Sequence, residues 1–150
     1  MNRLLFSALC LLPLAQPARA VTIGDCDDYR ASVGAMVEPW EEATRTWANG
    51  KIRLVVTDTV EPAMYPFHLV VIYPGSDETG WNQCSLVSFR GMLGFAGMEL
   101  MAATAQYDPA AGLTVAVPVR IPDPEAGDVT DAILAVTINQ MTGQVRAQLE

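Results

Sequence analysis

The sequence predicts an α+β fold. An N-terminal helical segment would pack on a curled antiparallel meander of six or seven strands, with a small β-barrel carrying a helix at its mouth as the second choice. Three observations lead there. Apolar residues between Cys26 and Asn49 recur at three- and four-residue steps. From Lys51 onward the chain breaks into short β-branched or alternating runs, separated by Gly, Pro, Asp and Asn. Residues 21–150 are enough for one domain with a real core, and half the composition is apolar.

The first twenty residues are set apart before the fold is considered. Arg3 precedes the apolar run Leu4 to Leu14, and the stretch closes on Ala18-Arg19-Ala20. A charged start, a short apolar middle and an Ala-x-Ala end describe a secretory signal peptide, here cleaved after Ala20. The apolar run is too short for a membrane span, and no later run is long enough. Neither Cys10, preceded by Leu9, nor Cys26, preceded by Asp25, has the small residue that a lipid-anchor signal places before its cysteine. The expected location is the periplasm or the extracellular medium.

Removing the leader takes away Arg3 and Arg19 and leaves seven basic residues against seventeen acidic, a charge of −10. The remaining basic residues are scattered, so nucleic acid and anionic lipid are not expected partners. Two cysteines then remain, Cys26 and Cys84, and an even pair in an oxidising compartment reads as a disulfide. A redox or metal-binding pair is the rival, but there is no Cys-x-x-Cys and no further zinc ligand set. Asp25, Asp27 and Asp28 around Cys26 suit a helix start and match no EF-hand spacing.

Within the expected helix, Val33, Met36, Val37, Trp40, Thr44 and Trp47 form one face, with Trp40 and Trp47 pressed onto the sheet. Pro39 conflicts with that pattern, so the helix either kinks near Val37 or restarts at the proline. Asn49-Gly50 reads as the stop. The strands follow in order. Ile52 to Thr59 is β-branched, and Phe67 to Tyr73 is apolar on both faces, as in a central strand. Gln83 to Phe89 carries Cys84. Met98 to Tyr107 has helical composition but runs into the hairpin turn Asp108–Gly112, and is taken as strand. Leu113 to Ile121 alternates, with Pro118 marking an edge or bulge. Ile133 to Ile138 and Gln144 to Leu149 close a last hairpin around Asn139–Gly143.

Few residues can carry chemistry. His68, the single histidine, sits with Val70 and Ile72 on one face of its strand; it is either a packed core histidine or a general base. Glu99 interrupts the apolar run between Met98 and Leu100, as an outward strand residue or a partly buried acid. Trp81 stands in the polar loop GSDETGWNQC, either as an anchor for a partner or folded over the cystine. There is no Gly-x-Ser-x-Gly elbow and no His-Glu-x-x-His. The methionines lack clustered histidines, so core packing accounts for them better than copper does. Asp123, Glu125, Asp128 and Asp131 read as a solvated acidic loop rather than a calcium site. The stretch GMLGFAGMELM is a contact patch if exposed and core if buried.

The expected function is therefore that of a small exported non-catalytic protein working by protein–protein binding, without a cofactor or metal. Two alternatives stand beside it. One is a carrier holding a small apolar ligand between helix and sheet; the other is an enzyme with His68 or Glu99 as base.

Overall fold

The computed structural model describes residues 21–75, 80–123 and 127–150, and in it two five-stranded antiparallel sheets face each other. The expected leader and its cleavage site lie outside the described residues, as do the loop positions 76–79 and Glu125. The first sheet has the order β1 (Thr22–Gly24), β5 (Asn82–Ser88), β4 (Phe67–Pro74), β3 (Ile52–Asp58), β2 (Thr44–Trp47). The second runs β10 (Gln144–Leu149), β9 (Asp128–Asn139), β8 (Gly112–Asp123), with β6 (Gly97–Met98) and β7 (Thr104–Asp108) sharing the far edge of β8.

The α+β expectation, an N-terminal helix on a meander or at a barrel mouth, is overturned by this β-sandwich. Between Cys26 and Asn49 the chain makes two 3-10 turns, Tyr29–Ala31 and Val33–Ala35, one helical turn α1 (Trp40–Ala43), and then β2. The reasons are local and cumulative. Ser32 and Gly34 favour turns over helix, Pro39 removes a donor, and Thr44 and Thr46 favour a strand. Asn49-Gly50, read as a helix stop, instead turns the β2–β3 hairpin, with Ala48, Asn49 and Gly50 all at positive φ. Asn-Gly serves either purpose, and the β-branched flanks decide it. The supposed helix face was a coincidence of spacing: Val33 is 73 % exposed and Trp40 54 % exposed, while Val37 and Trp47 reach the core's margin separately.

The strands after Lys51 match the sequence reading closely, because their alternation is strict. Ile52, Leu54 and Val56 of β3, Leu69, Val71 and Tyr73 of β4, and Val87 of β5 fill one side of the sandwich. Val115, Val117 and Val119 of β8 and Leu134, Val136 and Ile138 of β9 fill the other. Burying each such side chain contributes roughly 1.5–3 kcal/mol, so this interface dominates stability. Met98–Tyr107 is not one strand; it divides into β6, a 3-10 turn Leu100–Ala102, and β7. Pro118 explains the division. Its carbonyl accepts the Glu99 N–H at 2.9 Å, so its missing donor faces the gap where β6 ends and β7 begins. Arg45 of β2 ties that gap to the first sheet: its guanidinium donates to the carbonyls of Leu100, Met101 and Ala103.

The cystine is present and continues a strand register. Thr22 pairs Ser88 and Gly24 pairs Leu86, and one step further along the same ladder Cys26 bonds Cys84 with Cα atoms 5.8 Å apart. From there residues 27–37 cross the outer face of the first sheet as a strap. The turn Tyr29–Ala31 lies against β3 and β4, and the Val37 N–H reaches the Val56 carbonyl at the far edge. For a sequence separation of 58 between the cysteines, the chain-entropy model assigns the bond about 4 kcal/mol. Denaturant unfolding of the Cys26→Ala/Cys84→Ala variant is expected to show a loss of that order, with early proteolysis between residues 27 and 37. A loss under about 1 kcal/mol would show that the strap is held by other contacts.

Candidate functional site

The sequence-singled residues fall in separate places. His68 points to the outer face of the first sheet, opposite Thr57, and the strap seals it at 0 % exposure. Beneath the strap lies a polar chain. Asp28 caps the turn by accepting the Arg30 N–H at 2.9 Å and grips the Arg30 guanidinium through Nε at 2.9 Å and Nη2 at 2.7 Å. Arg30 Nη1 donates to Ser88 Oγ at 3.3 Å and to the Gly91 carbonyl at 3.2 Å. Ser88 Oγ in turn lies 2.9 Å from His68 Nδ1. Arginine only donates, so Ser88 accepts from Arg30; with the Ser88 O–H donating a hydrogen bond to Nδ1, the His68 hydrogen is assigned to Nε2. Nε2 and the facing Thr57 Oγ1 are both buried without a hydrogen-bond partner among the described residues.

This chain has the members of a nucleophile–base pair but not the access. Ser88 and His68 are both buried, and neither lines the two hollows beside Glu99. Burial pushes the His68 imidazole down to about 4, helped by the Arg30 cation and opposed by Asp28 and Asp58. The Arg30 hydrogen bonds hold the Asp28 carboxyl down at about 2. The network therefore fastens the strap, with a neutral imidazole beside a paired guanidinium.

Glu99 is placed differently. It stands exposed on the lip of an open groove of about 590 Å³, where the start of β4, β6, the outer half of the β8–β9 hairpin and Glu150 meet. Phe67, Met98, Val119, Ala132 and Ile133 supply apolar wall; Glu99, Arg120, Asp131 and Glu150 supply charge. A second hollow of about 310 Å³ continues past Phe67, Met98 and Glu99 to Val37, Val56, Leu100 and Met101. The topology explains the opening. Sheet two has only the two residues of β6 at this point on its edge, so the sandwich is not closed over Phe67 and Met98. Gly97 shapes the wall: the Arg120 guanidinium lies where a side chain would be, its Nε 2.5 Å from the position of a Cβ.

Trp81 lies outside this groove. It follows positions 76–79 in the β4–β5 connection and is 77 % exposed; its carbonyl accepts the Gly75 N–H at 3.2 Å. The stretch GMLGFAGMELM is divided between both of its readings. Gly94 and Phe95 are buried, while Met92 and Met101 face solvent. Sequence reasoning missed the groove, apart from Glu99, because Phe67, Arg120, Asp131 and Glu150 converge only through strand pairing. Arg30 was passed over as one of several scattered bases; its place two residues after Asp28, behind a cysteine, was the only local signal.

The fold and site define a class: an all-β sandwich with a disulfide-pinned strap on one face and an open, mixed apolar and charged groove at one end. No protein-family model, no curated protein and no solved structure matches this chain.

His68 yields a pH dependence. The unfolded chain takes up its proton near 6.5 and the folded one only near 4, so between those values the unfolded state binds more protons. Stability is fully present above pH 6.5 and falls as pH drops toward 4, by about 3 kcal/mol for this group. Chemical denaturation from pH 7 to 4 is expected to show that slope, and His68→Gln is expected to flatten it. An unchanged slope in the variant would assign the acid sensitivity to the carboxylates instead.

Proposed function

We propose that the protein is an exported, non-catalytic binding protein that works by holding a segment of another protein in the groove beside Glu99. The observation that carries this reading is the groove itself. It is an apolar surface left open at the sandwich edge, rimmed by Glu99, Arg120 and Asp131, which form no ion pair among the described residues. Apolar walls with a few unspent polar groups are the common form of a binding site. Export rests on the leader-like residues 1–20, with cleavage after Ala20 and a periplasmic destination, and the Cys26–Cys84 bond fits an oxidising compartment.

A carrier function is the second reading, favoured by volume: about 590 Å³ lies within the range of small-molecule sites, roughly 300–1,000 Å³. It differs from the carrier expected from sequence, since the hollow is an open groove at the sandwich edge and not a cavity under a helix.

A photo-activated cross-linking residue at Ile133 or Glu99 separates these readings in cells exporting the protein. Partner binding is expected to give protein–protein adducts from both groove positions and none from Gln106 on β7. Adducts from Gln106 or Trp81 alone would place the contact elsewhere. A small-molecule mass retained in native mass spectrometry, with no protein adduct, would favour the carrier.

A further inference from the structure

The groove's charges are unevenly disposed. Glu99, Asp131 and Glu150 stand on its walls, and Glu42 lines the adjoining hollow. Two cations are near and neither offsets them. Arg45 is committed to the carbonyls of Leu100, Met101 and Ala103. Arg120 faces Asp131 across the β8–β9 ladder, yet its guanidinium lies against the Gly97 backbone and forms no ion pair among the described residues. The side-chain carboxylates of Glu99 and Asp131 accept no hydrogen bond from a described residue, and that of Glu150 only one, from the Gln148 side chain at 3.1 Å. The whole chain adds a net charge of −8, so the field over the groove is negative.

Resting on the reading of the groove as a protein-binding site, we infer that its occupant is a segment of a partner protein with a short apolar core flanked by Lys or Arg. The apolar side chains lie on Phe67, Met98 and Ile133, and the flanking cations meet Glu99 and Asp131. Such a segment recovers apolar burial and charge complementarity together, whereas an acidic flank would meet three carboxylates for one guanidinium. Gly97 leaves room for the Arg120 guanidinium beside its backbone, where it forms no ion pair with Glu99, Asp131 or Glu150.

The probes are three synthetic peptides with one shared apolar core and flanks of Lys, Gln or Glu. They are titrated into the mature protein while backbone amide signals are followed by NMR. The expected result is a set of shifts confined to residues 97–99 and 131–133. The Lys-flanked peptide should bind about tenfold more tightly than the Glu-flanked one, the size of two exposed charge pairs. That margin should shrink as salt rises and vanish in Glu99→Gln/Asp131→Asn, two exposed near-isosteric changes that leave the core intact. Equal affinity for all three peptides at the groove would overturn the charge inference and leave the binding reading standing. Preference for the Glu-flanked peptide would also overturn it and point to Arg120 as the anchor. A margin that survives the double variant would overturn it as well. Shifts outside the groove, or none from any peptide, would overturn both readings.

Discussion

Strand β4 buries side chains on both faces: Leu69, Val71 and Tyr73 on one, His68 and Val70 on the other. A sheet with two apolar faces must be covered twice, because neither face can be left to water. The second sheet covers one. For the other, the described residues offer no helix longer than the single turn α1. The chain uses residues 27–37, a strap too short and too irregular to bring much apolar surface of its own. The rest of the structure follows from how that strap is held.

It is held at three places across the sheet: by the Cys26–Cys84 bond at β5, by Arg30 over β4, and by Val37 on β3. The middle attachment is the unusual one. A buried guanidinium costs several kcal/mol unless every donor finds an acceptor. Here Asp28 accepts from Nε and Nη2 side by side, and Nη1 donates to both Ser88 Oγ and the Gly91 carbonyl. The same network explains why the only histidine stays neutral: a charged imidazole would stand, desolvated, beside Arg30. The strap closes one side of the molecule, while at the other end the two-residue β6 leaves Phe67 and Met98 only partly covered. Sealing and opening are thus distributed to different sheets, which separates the stabilising polar cluster from the surface available to a partner.

The strands from Ile52 onward were legible because period-two alternation survives almost unbroken in them, and the turns at Asp108–Gly112 and Asn139–Gly143 carry their own chemistry. Asp108 accepts the Ala110 and Ala111 N–H groups, and Asn139 those of Met141 and Thr142. The cystine was legible from cysteine count and compartment. The segment before Lys51 was not. Its three- and four-residue spacing imitates a helix, and outweighs the local signs against one at Ser32, Gly34, Pro39, Thr44 and Thr46. His68 stands out as the single histidine, but the network that it joins, through Ser88 to Arg30, comes from 20 positions after it and 38 before it. The groove was legible only through Glu99, whose interruption of an apolar run marked it. Its other charges come from β8, β9 and Glu150, which strand register alone brings together.

Native-state hydrogen exchange read residue by residue tests most directly whether the strap makes β4 and β5 an interior pair. If it does, the amides of Leu69–Ile72 and Ser85–Val87 exchange only through global unfolding, and those of Gly97–Glu99 at the groove exchange faster by local opening. If β4 and β5 instead exchange as fast as the exposed strand β7, the outer face is not sealed. The strap would then be an ornament on a one-sided sheet.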